Sequence, residues 1–148
     1  MPDLYAVAGS KIYIGGVLAG GDGKTAATFA GQTWVEIDGW ETAGAIGDAR
    51  EVISTNLINT ARTQKQGGTK DAGSMENNFA IIPADAGQIA LKAAQGTGSN
   101  YAFRIIWTTG ETQYFIALVS SQTRSGGGAN DIQMLSATLE INSNVVTV

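Results

Sequence analysis

The sequence predicts a mainly β fold, an antiparallel β-sandwich or partly closed barrel of about seven strands with one flanking α-helix. Three observations lead to this prediction. Several segments alternate apolar and polar residues with the period of two that half-buried strands require. Glycine accounts for 20 of the 148 residues while proline occurs only twice, which suits many tight turns between short strands. One segment has the composition and capping signals of a helix.

The clearest strand signals lie in the second half of the chain. Residues 100–108, NYAFRIIWT, alternate with period two, and one face carries Tyr101, Phe103, Ile105 and Trp107. Residues 112–123 are apolar on both faces, so we expect a central or doubly covered strand. Residues 132–142 place Leu135, Ala137, Leu139 and Ile141 on one face. Earlier strands are predicted at 11–18, 28–37, 52–60 and 74–82.

The single predicted helix covers residues 85–95. Asp85 can cap its first turn together with Gln88, and Gly96 can end it in a left-handed conformation. Ile89 and Ala93 form one apolar row, and a second row consists of Ala86, Ala90 and Ala94. We therefore expect the helix to pack on the sheet through Ile89, Ala90 and Ala93, with alanines allowing a close approach.

The hexapeptide GGDGKT, residues 20–25, resembles the end of a phosphate-binding loop. Such a loop needs a glycine five residues before the Gly-Lys-Thr and a helix after it, but Leu18 occupies that position. The following residues have a strand-like pattern without a helical stripe. We therefore predict a glycine-rich hairpin turn with Lys24 in solvent.

Two longer connections separate the predicted strands. Residues 38–51 are irregular and carry the carboxylates Asp38, Glu41, Asp48 and Glu51. These could suggest a metal site, but calcium-loop spacing is absent, and solvated loop charge is the favoured interpretation. Residues 62–74 form a predicted long loop, with a flexible tip at Gly67 and Gly68.

The composition restricts the chemistry that the chain can perform. It contains no cysteine and no histidine, so thiol chemistry, imidazole catalysis and nearly every zinc site are excluded. We predict no catalytic residue, no metal and no cofactor. The net charge of −4 argues against a stable grip on nucleic acid. The sequence shows no export signal and no membrane-spanning apolar run, and its length predicts one domain, 1–148.

Four segments, in this order, resemble a known family. They are TWVEIDGWETAGAIGDARE, NTARTQKQGGTKDAGSMENNF, PADAGQIALKAAQG and the closing strand LSATLEINSNVV. This order is similar to that of the major tail tube proteins of long-tailed, lambda-like bacteriophages, over residues 33–146. No segment is a catalytic motif, so the resemblance depends on order and spacing. The immunoglobulin-like domain that follows the tube domain in some relatives is not expected after Val148.

The resemblance implies a structural protein and not an enzyme. It implies homohexameric rings that stack into a tube, with partners in the tape measure protein, the tail terminator and the distal tail or tail-tip proteins. Phage DNA would pass only transiently through a polar, net acidic lumen, and no membrane contact is expected. The protein would assemble in the host cytoplasm and reside in the virion tail. The loop 62–74 would order on ring stacking, through Arg62, Lys65, Gln66, Gly67, Gly68, Lys70 and Asp71.

An isolated β-sandwich that binds carbohydrate or protein is the alternative. Such a module needs an exposed aromatic platform, but Tyr101, Phe103 and Trp107 have core-facing spacing. Trp34, Trp40 and the remaining tyrosines are the candidates for a platform. Hydrolysis by a carboxylate pair is a more distant possibility, because no pattern places two carboxyl groups at working distance.

Overall fold

A computed structural model describes residues 3–148. These residues form ten strands, one α-helix and one 3-10 turn, which confirms the mainly β fold with a flanking helix. The helix α1 covers Ala86–Thr97, and the 3-10 turn covers Ala26–Phe29. The strands are β1 Lys11–Val17, β2 Val35–Ile37, β3 Trp40–Thr42, β4 Ala49–Asn56, β5 Thr63–Asp71, β6 Ser74–Ala80, β7 Asn100–Ile106, β8 Thr112–Ser125, β9 Met134–Ile141 and β10 Val146–Thr147.

Eight of the described strands form one sheet in which every ladder is antiparallel. The order is β2-β1-β7-β8-β9-β6-β3, and β10 pairs with the beginning of β8. The long strand β8 lies in the middle and buries Phe115 and Ile116 on its opposite faces. The prediction of a central strand at this position is therefore confirmed. Strands β4 and β5 pair only with each other.

The two edges of the eight-stranded sheet come together in space. Strand β2 forms one edge and β3 forms the other, yet only Asp38 and Gly39 separate them in the chain. The sheet must therefore curl until its edges lie within about 10 Å of each other. Gly39 has a φ of 78°, which permits the sharp turn between the edges. In the described chain no ladder joins β2 to β3, so the barrel remains partly open.

The main core fills the space inside the curled sheet. Inward side chains of six strands pack there against Leu91 and Ala94 of α1. Phe103 and Phe115 stack at 5.5 Å between ring centres near its middle. A smaller cluster on the outer face contains Phe29, Ala102 and Ile116. Phe29 reaches that face because the 3-10 turn projects it onto Tyr114, with the ring centres 5.2 Å apart.

Helix α1 begins as the sequence predicts but ends later. An Asp85 carboxylate oxygen accepts from the Gln88 backbone N–H at 2.9 Å, which confirms Asp85 as the cap. The reciprocal bond from Gln88 is absent, because its side chain bonds to Asp38, Ala80 and Ile82 instead. The left-handed residue at the end is Gly98, with φ 67°, and not Gly96, which lies inside the helix. Thr97 is the last helical residue, and its hydroxyl donates to the Ala94 carbonyl. The helix therefore ends two residues later than predicted.

The buried face of α1 differs from the prediction. Gly87, Gln88, Leu91 and Ala94 face the sheet, whereas Ile89 is 57% exposed and Ala93 is also exposed. Of the three predicted packing residues, only Ala90 packs against the core, and it is half-buried. The cause is Gly87, whose lack of a Cβ lets the helix touch the Glu36 carbonyl and the Ile37 Cα of β2. That contact fixes the rotation of the helix and turns Ile89 outward.

The segment before β2 also differs from the prediction. Residues 28–37 were expected to form one strand, but only Val35–Ile37 does so, because Ala26–Phe29 forms the 3-10 turn. Residues 20–25 do not form a hairpin turn, although Gly21 and Gly23 have positive φ. They run beside residues 142–144, and the half-buried Lys24 exchanges two hydrogen bonds with the Asn144 side chain.

Candidate assembly surface

Strands β4 and β5 form a two-stranded ribbon, residues 49–71, that stands apart from the main sheet. Its turn lies at residues 57–62. The structure corrects two predictions here. The strand expected at 52–60 covers Ala49–Asn56, and the loop expected at 62–74 is largely the strand Thr63–Asp71. The ribbon is about 27 Å long, since eight residues of β4 advance about 3.4 Å each.

The ribbon is exposed on both faces. Every residue of β4 is exposed, and so is every residue of β5 except Gly68. Val52 is 61% exposed and Ile53 is 51% exposed, and they point to opposite faces because they are consecutive in a strand. Ile58 is fully exposed at the turn. An isolated two-stranded hairpin is marginally stable in water, so we expect this ribbon to be stabilised by contact with another surface.

Gly67 and Gly68 lie within β5 and do not form a flexible tip. The register passes from Arg50 opposite Lys70 to Val52 opposite Gly67, so β5 has one extra residue there, a β-bulge. A Cβ on Gly67 would press on the Arg50 side chain, 2.7 Å from its Cδ. The Arg50 guanidinium donates to the Gly68 carbonyl at 3.1 Å. The glycine pair therefore makes room for Arg50 across the ribbon.

The predicted stacking residues are distributed along the whole ribbon. Arg62 lies in the turn, Lys65 and Gln66 lie in the middle of β5, and Lys70 and Asp71 lie at its base. Lys65 is opposite Ser54 and shares a face with Val52, whereas Gln66 is opposite Ile53. Each face of the ribbon thus combines an aliphatic side chain with polar neighbours.

The charge of the ribbon is opposite to that of the rest of the chain. Its four basic residues exceed its two acidic residues, giving residues 49–71 a net charge of +2 and leaving −6 for all other residues. At the base of the ribbon, Arg50 and Lys70 are direct cross-strand neighbours, and like charges in that position disfavour the isolated hairpin. A carboxylate from another surface would relieve this repulsion.

The base of the ribbon adjoins a cleft of about 670 Å³ on the main domain. Arg50, Lys70 and Asp48 line it on the ribbon side, and residues 141–144 line it on the other. Asp71 ends β5 by accepting from the Gly73 backbone N–H at 2.8 Å, and the Gly73 carbonyl accepts from Ile141. Asp71 therefore has a local role in the turn that joins the ribbon to β6.

The carboxylates of residues 38–51 are not brought together. Within residues 3–148, no group of three or more acidic side chains is placed to hold a metal ion. Asp38 takes part in the junction of the two sheet edges, where its backbone N–H donates to Asp85 at 3.1 Å. Trp40 begins β3 and Glu41 follows it, so part of the segment predicted as irregular is a strand. In the same described region, no helix is long and apolar enough to cross a membrane.

The two candidate platform tryptophans are engaged within the molecule. Trp34 packs beside Tyr114 and near the Arg104 guanidinium, which also lies 4.2 Å from the centre of the Tyr13 ring. Trp40 packs against Trp107 and donates to Asn77 at 3.2 Å. Both tryptophans are half-buried, so neither offers the flat exposed ring that a carbohydrate platform requires.

Solved structures similar to this chain come from tails and from contractile injection systems. The tail tube of SPP1 matches with a TM-score of 0.67 and 17% identity, covering 96% of this chain and 78% of that chain. A sheath/tube terminator of the PVC extracellular contractile injection system matches with a TM-score of 0.72 and 13% identity, covering 99% and 98%. The tail of an empty GTA particle, refined with C6 symmetry, matches with a TM-score of 0.64 and 16% identity, covering 90% and 92%.

The sequence itself gives no such match. No protein-family model matches the chain, and no curated protein sequence matches it. The likeness is therefore one of fold, and the fold is that of tail tube proteins. This confirms the predicted fold.

Proposed function

We propose that this chain is a structural protein of a phage-type tail tube. Copies form hexameric rings, and the rings stack around a lumen through which the genome passes to the host cell. The fold shared with the SPP1 tail tube supports the tube, and the C6 symmetry of the GTA tail supports the hexamer. The observation that carries the proposal on this chain itself is the exposed basic ribbon on an otherwise acidic domain.

The ribbon makes the contact between successive rings. It extends about 27 Å, far enough to lie along the domain of a subunit in the next ring. Val52 on one face and Ile53 on the other lose water in that contact, and the +2 charge meets the acidic remainder of the neighbour. Arg62, Lys65, Gln66, Lys70 and Asp71 belong to this surface, and Gly67 with Gly68 preserves its bulge.

The ribbon is unsettled in the free subunit and orders on stacking. Its two strands bury no residue besides the partly covered Gly68, so the free subunit gains little from fixing them. The entropy cost of ordering the ribbon is compensated when the neighbouring subunit supplies apolar surface and carboxylates. Polymerisation is thereby delayed until a tail tip presents a template.

The lumen is polar and net acidic. Every basic contact with phosphate adds affinity through counterion release, so a basic lining would slow a moving DNA molecule. The −6 charge outside the ribbon, repeated around a ring, favours repulsion of DNA. DNA is therefore a transient partner. The lasting partners are further copies of the chain, the tape measure protein, the tail terminator and the distal tail or tail-tip proteins.

The protein assembles in the host cytoplasm and resides in the virion tail. It needs no cofactor or metal, because its role is to form the wall of the tube and not to catalyse a reaction. Sedimentation of the purified chain over a wide concentration range, followed by electron microscopy, tests the proposal. Rings or hollow tubes are expected, alone or on co-expression with a tape measure protein. A monomer under both conditions would contradict it.

A further inference from the structure

A groove lies between α1 and the final part of β8, on a different surface from the ribbon. It has a volume of about 340 Å³. Ile82 and Ile89 line it and are both exposed, and Leu135 closes its side. Ile89 is the residue that the close approach of Gly87 turns away from the core. The groove is therefore an apolar surface that the fold itself leaves uncovered.

Two polar features of the groove indicate what chemistry would cover it. Gln122 lines the groove, and its side-chain amide nitrogen is covered by other atoms of the chain and has no hydrogen-bond partner. A buried donor without an acceptor is costly, so turning this amide into the groove toward an arriving carbonyl oxygen would be favourable. Lys92 and Arg124 also line the groove, and its lining contains no carboxylate. The fitting occupant is an extended segment with apolar side chains, free backbone carbonyls and a negative charge.

The leading segment, residues 3–10, has this chemistry. It begins Asp-Leu-Tyr-Ala-Val, with Leu4 96% exposed, Tyr5 59% exposed and Val7 58% exposed. It is held at its other end, where the Ala6 carbonyl accepts from the Thr108 hydroxyl and the Ser10 hydroxyl accepts from the Thr108 backbone N–H. Asp3, Leu4 and Tyr5 precede this anchor, and all three are exposed.

The leading segment does not cover the groove of its own chain. Leu4 is 96% exposed, and Ile89 in the groove is 57% exposed. The hydrogen bonds to Thr108 hold Ala6 and Ser10 at the turn between β7 and β8. Docking within one chain would have to keep this anchor in place, whereas the leading segment of a second copy approaches the groove without that restriction.

We propose that the leading segment of one copy docks in the groove of a second copy. Leu4 and its apolar neighbours cover Ile82 and Ile89, Asp3 faces Lys92 and Arg124, and a backbone carbonyl accepts from Gln122. The joint is heterologous, since donor and acceptor surfaces differ, so it repeats from copy to copy. It rests on the proposed self-assembly and adds a joint separate from the ribbon. The ribbon tip fits less well, because Arg62 would meet Lys92 and Arg124.

A peptide-binding experiment tests the joint apart from tube formation. A labelled peptide of residues 3–9 is titrated, up to about 1 mM, against the full chain carrying Leu4→Asp and Val7→Asp, whose own leading segment is disabled. Saturable binding is expected, with at least a tenfold loss on adding Ile89→Asp. The matched control is Ile132→Asp, at another exposed isoleucine outside the groove lining, which should bind as before. No binding, or equal binding to the Ile89 variant, would overturn the inference.

Charge reversal and assembly complete the test. A peptide with Asp3→Lys should bind weakly to the receptor above and regain binding when that receptor carries Lys92→Glu and Arg124→Glu; no recovery would contradict the proposed pairing. Sedimentation compares the native chain with the Leu4→Asp, Val7→Asp chain. If both assemble equally well, this joint is refuted but the proposed function is not. A native chain that never assembles would refute the proposed function, and the peptide titration would still decide whether the groove binds the segment.

Discussion

The side-chain amide nitrogen of Gln88 donates to the Asp38 carbonyl oxygen at 2.8 Å, which joins α1 to the turn between the two edges of the sheet. The same nitrogen donates to the Ala80 carbonyl at the end of β6, and the side-chain oxygen accepts from the Ile82 N–H. Gln88 is 7% exposed, so these three backbone groups depend on it. The Gln88 side chain therefore links α1 to the end of β6 and to the turn between β2 and β3, where the sheet remains open.

Replacing Gln88 should destabilise the fold strongly. Gln88→Ala leaves buried backbone groups without partners, and we expect a loss of about 2–4 kcal/mol in the free energy of unfolding. Gln95→Ala in the same helix is the control, because Gln95 is exposed and should change stability by less than about 0.5 kcal/mol. Urea unfolding followed by circular dichroism measures both. Equal effects of the two changes would show that Gln88 does not join the edges.

Two glycines of α1 should respond in opposite ways to alanine. A Cβ at Gly87 would collide with the Glu36 carbonyl, so Gly87→Ala should cost about 1–3 kcal/mol by forcing the helix away from β2. Gly96 has open space around its Cβ position, and Gly96→Ala should gain about 0.5–1 kcal/mol through helix propensity. Thermal unfolding of the two variants provides the comparison. Stabilisation by Gly87→Ala would mean that helix and strand are not in contact.

Neighbouring alanines in α1 distinguish its two faces. Ala94 is fully buried in the core, and Ala94→Asp would place an unpaired charge there, at a cost of about 4 kcal/mol or more. Ala93 is exposed, so Ala93→Asp should leave the free energy of unfolding within about 0.5 kcal/mol of the native value. The outcome that would contradict the helix orientation is a folded Ala94→Asp chain beside an unfolded Ala93→Asp chain.

The ribbon should affect assembly without affecting folding. Lys65→Glu with Lys70→Glu changes the ribbon charge from +2 to −2 and replaces attraction to the acidic domain with repulsion. We expect a soluble subunit with an unchanged melting temperature that no longer forms sedimenting assemblies. Lys11→Glu with Lys24→Glu, outside the ribbon, is the charge-matched control and should assemble. Tubes of normal length from the ribbon variant would show that stacking takes place elsewhere.

The sequence predicts the parts of the fold in which one strand face is buried. β7 and β9 alternate clearly because their inward faces meet the core, whereas β8 is apolar on both faces because both are covered. Asp85 signals the helix start. β5 escaped prediction because it has no buried face, so its pattern of threonine, glutamine and lysine resembles a solvated loop. The side of α1 could not be predicted from Ile89, because contact between Gly87 and β2 decides it and that contact is nonlocal.

The candidate surface was only partly predictable for the same reason. The unusual length of the connection between two predicted strands indicated a binding role for Lys65, Gln66 and Lys70. No such signal pointed to Arg50, Val52 and Ile53, since nothing local indicates that β4 pairs outside the main sheet. The groove was also missed, because Ile82, Ile89 and Arg124 come together only in the folded chain. The Gly67-Gly68 pair could have indicated the strand, because a glycine pair is typical of a β-bulge as well as of the tip of a loop.

The central claim is that the ribbon joins successive rings of a tube. A cryo-EM reconstruction of assemblies formed by the native chain tests it most directly, since it locates residues 49–71 in the assembled state. We predict hexameric rings with the ribbon buried against the next ring, and Val52 and Ile53 shielded from solvent. A tube in which the ribbon projects freely into solvent, or an assembly without stacked rings, would contradict the account.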